Sequence, residues 1–228
     1  MTQPHLPDTE NISSSLSAPG ACTSQPAGGP KAAGALQPAA GPQLPAQPAG
    51  GSHAAADPQR ADDERFMELA IAQAQAAAQM GEVPIGAVVV CDGQVVASAH
   101  NRRETDRDPS AHAEFSALLE ASRALDRWRL SGCTVYVTLE PCLMCAGLMV
   151  NSRIDRCVFG APDPKGGALG TLYDVSCDPR LNHEFTVTSG VLAEKSARLL
   201  RDFFRRRRQE RKAAKRASSG DAGAHTHG

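Results

Sequence analysis

Three side chains in the middle of the chain are of the right type to hold a metal ion. Cys142 and Cys145 form a Cys-x-x-Cys pair in "PCLMC", and His112 precedes them in "HAE". One imidazole and two thiolates suit a borderline-soft ion such as zinc. Pro141 suits the first position of a helix, where its missing N–H costs nothing. Cys142 and Cys145, three residues apart on the opening turns of that helix, then point the same way. A helix start carries unpaired N–H groups and a positive dipole, and both stabilise thiolate charge. A structural zinc site closes with four protein ligands, whereas a catalytic one uses three and keeps a water. No second Cys-x-x-Cys is present. His183 and Cys177 are the candidates for a fourth ligand, both in an irregular region without partnering spacing. An open, three-ligand site is therefore expected.

Glu114 sets the kind of reaction. It follows His112 by two residues, so the two side chains do not share a helix face and approach a common centre differently. His112 would bind the metal while Glu114 reaches a bound water or the substrate. Zinc lowers the pKa of its water toward 7. A carboxylate beside that water can carry a proton to a ring nitrogen and a leaving amine. An isolated glutamate at this position reads as a solvated first-turn acid. Within His-x-Glu followed by Pro-Cys-x-x-Cys it matches the signature of zinc deaminases acting on nucleobases.

The elements that must position these residues follow from local pattern. "DDERFMELAIAQAQAAAQM" reads as a helix, with Phe66, Leu69, Ala70 and Gln73 in helical period and Gly81 at its end. "VPIGAVVV" and "QVVASAH" flank Asp92-Gly93, a hairpin signal. A polar loop, "NRRETDR", precedes a helix that Asp108 would cap, with Pro109 at its first position. "TVYVTLE" and "RCVFGA" read as strands on either side of the Cys-x-x-Cys helix. "EFTVTSGVL" offers a fifth strand. The last helix, 193–217, would bury Leu199, Leu200, Phe203 and Phe204. Such an order implies an α/β layer structure around a mixed sheet, antiparallel at its opening pair and parallel where helices connect strands.

Composition separates this body from its ends. Ten of the 16 prolines lie in residues 1–60, which hold almost no large aliphatics. A segment of that kind cannot offset its ordering entropy, so 1–60 is expected to be a disordered tail. It lacks the apolar core of a signal peptide and the arginines of a mitochondrial presequence. No run approaches the ~18 apolar residues of a membrane span. Domain boundaries are expected at 61–216, with 217–228 a flexible tail. The seven cysteines, an odd number, do not form the pattern of a secreted disulfide scaffold. The net charge of −1 hides a basic end: residues 198–216 hold ten Arg or Lys against two acids.

The folded body is similar to the bacterial tRNA-specific adenosine deaminase family. The likeness spans roughly residues 64–216 and rests on "GEVPIGAVVV", "HNRR", "DPSAHAEFSALLEA", "TVYVTLEPCLMCAGLMVNSRIDRCVFGAPDPKGGALGTLYDV" and "LLRDFFRRRR". It implies a three-layer α/β/α cytidine deaminase-like fold around an approximately five-stranded mixed sheet. The implied activity is hydrolytic conversion of adenosine to inosine at wobble position 34 of a tRNA, with loss of ammonia; bacterial members typically act on the arginine tRNA with anticodon ACG. The resemblance assigns His112, Cys142 and Cys145 as ligands of one zinc per subunit and Glu114 as proton shuttle. Asn101 resembles the residue that holds the target nucleoside, and Asp163 and Lys165 resemble positions near the RNA loop. Arg205, Arg206, Arg207 and Arg208 are expected to contact the anticodon stem-loop. A cytoplasmic homodimer is implied, with no membrane or DNA partner. His100, Phe115 and Gly166 depart from the family's usual residues without touching a ligand.

Two other readings compete. A similar site could act on free guanine, cytosine or a nucleoside, for which the basic helix has no use. A non-enzymatic RNA-binding module with structural zinc would need a fourth ligand. The apolar "CAGLMV" stretch suits either a dimer interface or the core.

Overall fold

A computed structural model describes residues 58–221, with side chains to 216. The expected tail over 1–60 lies outside the described residues except for its last three, and so does 222–228 of the expected C-terminal tail. The described residues fall within one compact unit, Ser52–Gly228. They form helix α1 (Pro58–Gln79), strands β1 (Gly86–Cys91) and β2 (Gln94–His100), helices α2 (Arg103–Asp106) and α3 (Ala113–Ala124), and strand β3 (Cys133–Leu139). Helix α4 (Leu143–Ser152), strands β4 (Arg156–Ala161) and β5 (Thr186–Ser189) and helix α5 (Ala193–Asp221) complete them.

The strand order is β2-β1-β3-β4-β5. β1 pairs antiparallel with β2 and β3, while β3–β4 and β4–β5 are parallel, so the expected mixed five-stranded sheet is present. Asp92 and Gly93 take positive φ, +50° and +72°, as a twisted two-residue hairpin turn requires. These directions carry β2, β3, β4 and β5 out of the sheet at one rim, and β1 enters at that same rim. Asn101, Glu140 and Pro162 therefore leave their strands side by side, and Glu82 lies just before β1 on the same rim.

Alternation along the strands builds two cores. Ala87, Val89, Val135, Val137, Cys157 and Phe159 face α3 and α4, packing on Ala117, Leu118, Ala146 and Met149. Val88, Val90, Tyr136 and Val158 face α1, packing on Phe66, Met67, Ala70 and Ile71, with Leu199 of α5 against them. Helices on both faces make three layers. The "CAGLMV" stretch thus contributes Ala146, Met149 and Val150 to the core. The buried stripe of α1 differs from the expected one. Leu69 is exposed, and Gln73 hydrogen-bonds Ser98 and His100. Gly86 lets α1 lie on β1, since a Cβ there would collide with the backbone of Ala70 and Ala74.

Two helices begin or pack differently from the sequence pattern. Asp108 does not cap α3; its carboxylate accepts from the Ser110 N–H and hydroxyl in a local turn, and α3 starts at Ala113. Phe203 is buried, but Phe204 is 45% exposed. With Leu199 and Phe203 turned inward, the neighbouring position 204 falls outside the apolar stripe.

At the opposite rim Asp63 of α1 is buried and takes both guanidinium nitrogens of Arg156, at 2.7 and 2.6 Å, and the Tyr136 hydroxyl at 3.0 Å. Burial alone would raise its pKa, but the hydrogen bonds from Arg156, Tyr136 and Gln59 outweigh it and hold the carboxyl below its usual range. Such a group stabilises the fold above the ordinary carboxylate range, and loses that contribution as pH falls through its depressed value. Arg156→Gln leaves the buried charge without its cation and should cost about 3 kcal/mol at pH 7 by denaturant unfolding. The gap from wild type should narrow as pH falls into and through the carboxylate range, first as the stranded Asp63 protonates and then as the paired one does.

Candidate active site

The Cys-x-x-Cys segment begins where β3 leaves the sheet. Glu140 and Pro141 turn the chain, Cys142 is the N-cap of α4, and Cys145 lies in its first turn. His112 is the N-cap of α3. Both caps have extended backbone (φ −77°, ψ 151° for His112; φ −76°, ψ 171° for Cys142), and neither side chain makes a capping hydrogen bond. A polar N-cap side chain normally satisfies an orphan N–H. Here both are turned toward one point, in front of two positive helix ends.

Cys142 Sγ lies 3.7 Å and Cys145 Sγ 3.6 Å from His112 Nδ1. All three donor atoms lie within 4.8 Å of one another. Nitrogen and sulfur ligands about 2.1 and 2.3 Å from a tetrahedral zinc would be about 3.6 Å apart, so the donor set has the spacing of a first coordination shell. Among the described residues no other group of three or more such ligands occurs. His183 gives its Nε2 to the Ile154 carbonyl at 2.7 Å, and Cys177 is exposed, so neither supplies a fourth donor. The contact with Cys145 drives the Cys142 thiol down to about 3, with His112 adding to the effect, and the same contact together with burial drives Cys145 up. The hydrogen bond to Cys142 raises His112. Three groups that compete for the same protons in this way are an acceptor set for a cation.

Glu114, in the first turn of α3, is 4% exposed. Burial pushes its carboxyl up to about 7, against the pull of the His112 imidazole. A carboxyl titrating near neutrality can both take and give a proton at working pH. Cys145 also acts to lower it, which sets Glu114 beside His112 and Cys145.

A cavity of about 160 Å³ opens onto His112, and Asn101, Glu82, Val83, Ile85, Arg103 and Glu104 form its other walls. Asn101 is 4% exposed and anchored through its N–H to the Ile85 carbonyl at 3.0 Å. The sequence-predicted nucleoside residue and the predicted metal ligand thus line one cavity.

The glycine-rich loop after β4 is tied to the ligand turn. Glu140 Oε2 accepts from the Asp163 N–H at 3.0 Å and from the Thr171 hydroxyl. Its Oε1 accepts from the N–H groups of Leu169 and Thr171, each at 3.0 Å. Ala168 N–H donates to the Pro141 carbonyl at 2.9 Å, and Cys142 bridges Gly167. Asp163 turns inward on its own loop, accepting from the Lys165 N–H at 2.9 Å. Lys165 instead lines an open groove of about 570 Å³ with Leu200, Arg201, Phe204, Arg205 and Arg208. The arginine run therefore divides: Arg205 and Arg208 line the groove, while Arg206 and Arg207 each lie 3.8 Å from Glu210.

Sequence reasoning missed the two buried carboxylates Glu82 and Glu140 as functional side chains. The signal was a lone acid at a strand end, in "GEVPIG" and "VTLEPC", where each flank is apolar.

Three comparisons bear on this site. A family model, MafB19-like deaminase, matches residues 61–208. The tRNA-specific adenosine deaminase of Bacillus subtilis (strain 168) is 52% identical over 154 residues, 68% of this chain and 96% of that protein. The tRNA-specific adenosine deaminase of Haemophilus influenzae is 45% identical over 154 residues, 67% and 89% of the two chains. A solved structure from a study of A-to-I editing by tRNA:A34 deaminases at the wobble position is 45% identical with a TM-score of 0.58, over 60% of this chain and 99% of that one. A solved guanine deaminase from Nitrosomonas europaea is 25% identical with a TM-score of 0.52, over 67% and 96%.

A Cβ on Gly167 would run into the buried Glu140 carboxylate, which the surrounding N–H groups hold in place. Gly167→Ala should lower stability by about 2 kcal/mol. Amide exchange at Leu169 and Thr171 should accelerate at least tenfold, as read by hydrogen exchange.

Proposed function

The chain belongs to the MafB19-like deaminases and stands among the tRNA-specific adenosine deaminases, and from that membership we propose that it hydrolyses adenosine to inosine at wobble position 34 of a tRNA, releasing ammonia. The observation that carries the proposal is the meeting of three N/S donors with a buried carboxyl poised near neutral pH.

His112, Cys142 and Cys145 would hold one zinc ion per subunit. When bound, zinc supplies Lewis-acid polarisation that brings the pKa of water toward neutrality. Water adds at C6 of adenine, and Glu114 accepts its proton and passes it to N1. Glu114 then takes the proton of the new C6 hydroxyl and delivers it to the exocyclic nitrogen; the C6=O bond forms as the C6–N bond breaks, and ammonia leaves with inosine as product. Asn101 holds the nucleoside in the cavity beside His112. An anticodon loop already presents bases outside a duplex, which lowers the unstacking needed to reach such a cavity.

The groove between the glycine-rich loop and α5 supports a large phosphate-bearing substrate over a free base. Lys165, Arg205 and Arg208 would meet the anticodon stem-loop backbone, and the exposed Phe204 ring offers a stacking face. Asp163 serves by shaping the turn that projects Lys165. The family resemblance points to the arginine tRNA with anticodon ACG. Leu143, Met144, Leu172 and Tyr173 are exposed apolar side chains on α4 and the glycine-rich loop, and support a homodimer. Among the described residues no helix is long and apolar enough to cross a membrane. A cytoplasmic site of action, without DNA or membrane partners, accords with a tRNA substrate.

The test is inosine mapping in a tRNA pool treated with the purified protein, with free guanine, cytosine and adenosine assayed for ammonia release in parallel. Inosine should appear at position 34 and the free compounds should be inert. Ammonia from a free base without tRNA inosine would instead assign a nucleobase deaminase. Glu114→Gln should keep one zinc per chain by elemental analysis while inosine formation falls about 10²–10⁴-fold. Lys165→Ala, Arg205→Ala and Arg208→Ala should each raise KM for a stem-loop several-fold with kcat nearly unchanged. Each should also flatten the dependence of log KM on log salt by about 0.7, the share of one single-strand phosphate contact.

A further inference from the structure

We infer that Glu82 is a positioning residue for the deamination, setting the orientation of the Asn101 amide and the wall of the base cavity; this rests on the reading of the cavity as the adenosine site. Glu82 is 1% exposed. A carboxylate so deeply buried needs hydrogen-bond donors, and it takes them from two neighbouring segments. Its Oε2 accepts from Asn101 Nδ2 at 3.0 Å, across 19 positions of chain. Its Oε1 accepts from the Thr105 N–H at 2.6 Å, across 23.

The first bond determines what Asn101 can offer. The Glu82 oxygen accepts, so the amide turns its NH2 toward it. That leaves Oδ1 and the second N–H for whatever enters the cavity. Without Glu82 the two ends of the amide are nearly isosteric and either can face the base. The Asn101 backbone is already fixed by its bond to the Ile85 carbonyl, so the remaining freedom is the side-chain flip that Glu82 removes.

The second bond fixes a wall. Arg102, the N-cap of α2, makes no side-chain cap. Glu82 accepts from an N–H of the first turn instead, and α2 carries Arg103 and Glu104 to the same cavity. Glu82 is itself held by the end of α1. Gly81 takes φ +81°, and the Glu82 N–H closes onto the Ala77 carbonyl at 3.0 Å. This is the glycine-terminated helix closure that fixes the direction of the following residue.

The experiment is a double-mutant cycle of Glu82→Gln and Asn101→Ala, with kcat and KM measured on an anticodon stem-loop. A glutamine can donate as well as accept, so it frees the flip while keeping size. Glu82→Gln alone should lower kcat at least tenfold with KM changed less than threefold and zinc content unchanged. In the Asn101→Ala background the same change should cost less than threefold. Multiplicative losses in the double variant, or a loss confined to KM, would overturn the inference. Hydrogen exchange of the Thr105 amide needs no substrate and should accelerate at least tenfold in Glu82→Asp, whose carboxylate no longer reaches that N–H; unchanged exchange would also overturn the inference. If Glu82→Gln does not fold, Glu82→Asp, whose carboxylate falls short of both donors, completes the same cycle. A wild-type chain inactive on the stem-loop counts against the substrate assignment, and the exchange measurement still decides whether Glu82 holds the cavity wall.

Discussion

The site depends on a carboxylate that performs no chemistry. Glu140 sits where β3 ends, is buried, and accepts from three backbone N–H groups and one hydroxyl of the glycine-rich loop. Burial would push it toward neutrality, but the Thr171 hydroxyl and the backbone donors hold its pKa below the usual range. It therefore remains an anion inside the protein and keeps an 8-residue span, 163–170, and Thr171 folded around it. Pro141 and Cys142 follow directly, so the ligand turn and the loop that projects Lys165 are one rigid assembly. Gly167 is the position at which that assembly admits no side chain.

Charge in the centre is arranged by helix ends. His112 and Cys142 occupy N-cap positions but leave their helices uncapped by side chains. Two positive dipole ends and a set of orphan N–H groups then face a cluster of thiols and a carboxyl. The contacts with Cys145 and His112 favour the Cys142 thiolate, while burial disfavours the Glu114 anion. Neighbouring groups within one small volume are thus driven in opposite directions.

Much of this was legible in the sequence, for reasons of range. The Asp92-Gly93 turn and the β-rich runs of β1 and β3 are set over a few residues and appear as expected, and the His-x-Glu and Pro-Cys-x-x-Cys motifs bring three donors together. The shifted start of α3 has a local cause too. Asp108 can cap a helix or close an Asx turn, and the Ser110 hydroxyl favours the turn. The exposure of Phe204 follows from which side of α5 meets the sheet, and adjacent aromatic residues cannot settle that between themselves. Glu82 and Glu140 have partners 19 to 31 positions away, and only tertiary contact shows that their neighbours bring donors to them.

The common rim at which β2, β3 and β4 end has a practical corollary. Asn101, Glu140 and Pro162 all emerge there, so the far rim, with the Asp92-Gly93 hairpin and the Asp63–Arg156 pair, stands clear of the reacting centre. The hairpin tip is solvent-exposed, and a Cβ on Gly93 would meet no neighbour. The molecule thus has a natural splice port: a peptide tag or a whole guest domain inserted between Asp92 and Gly93 would be carried on the rim opposite Asn101, Glu140 and Pro162.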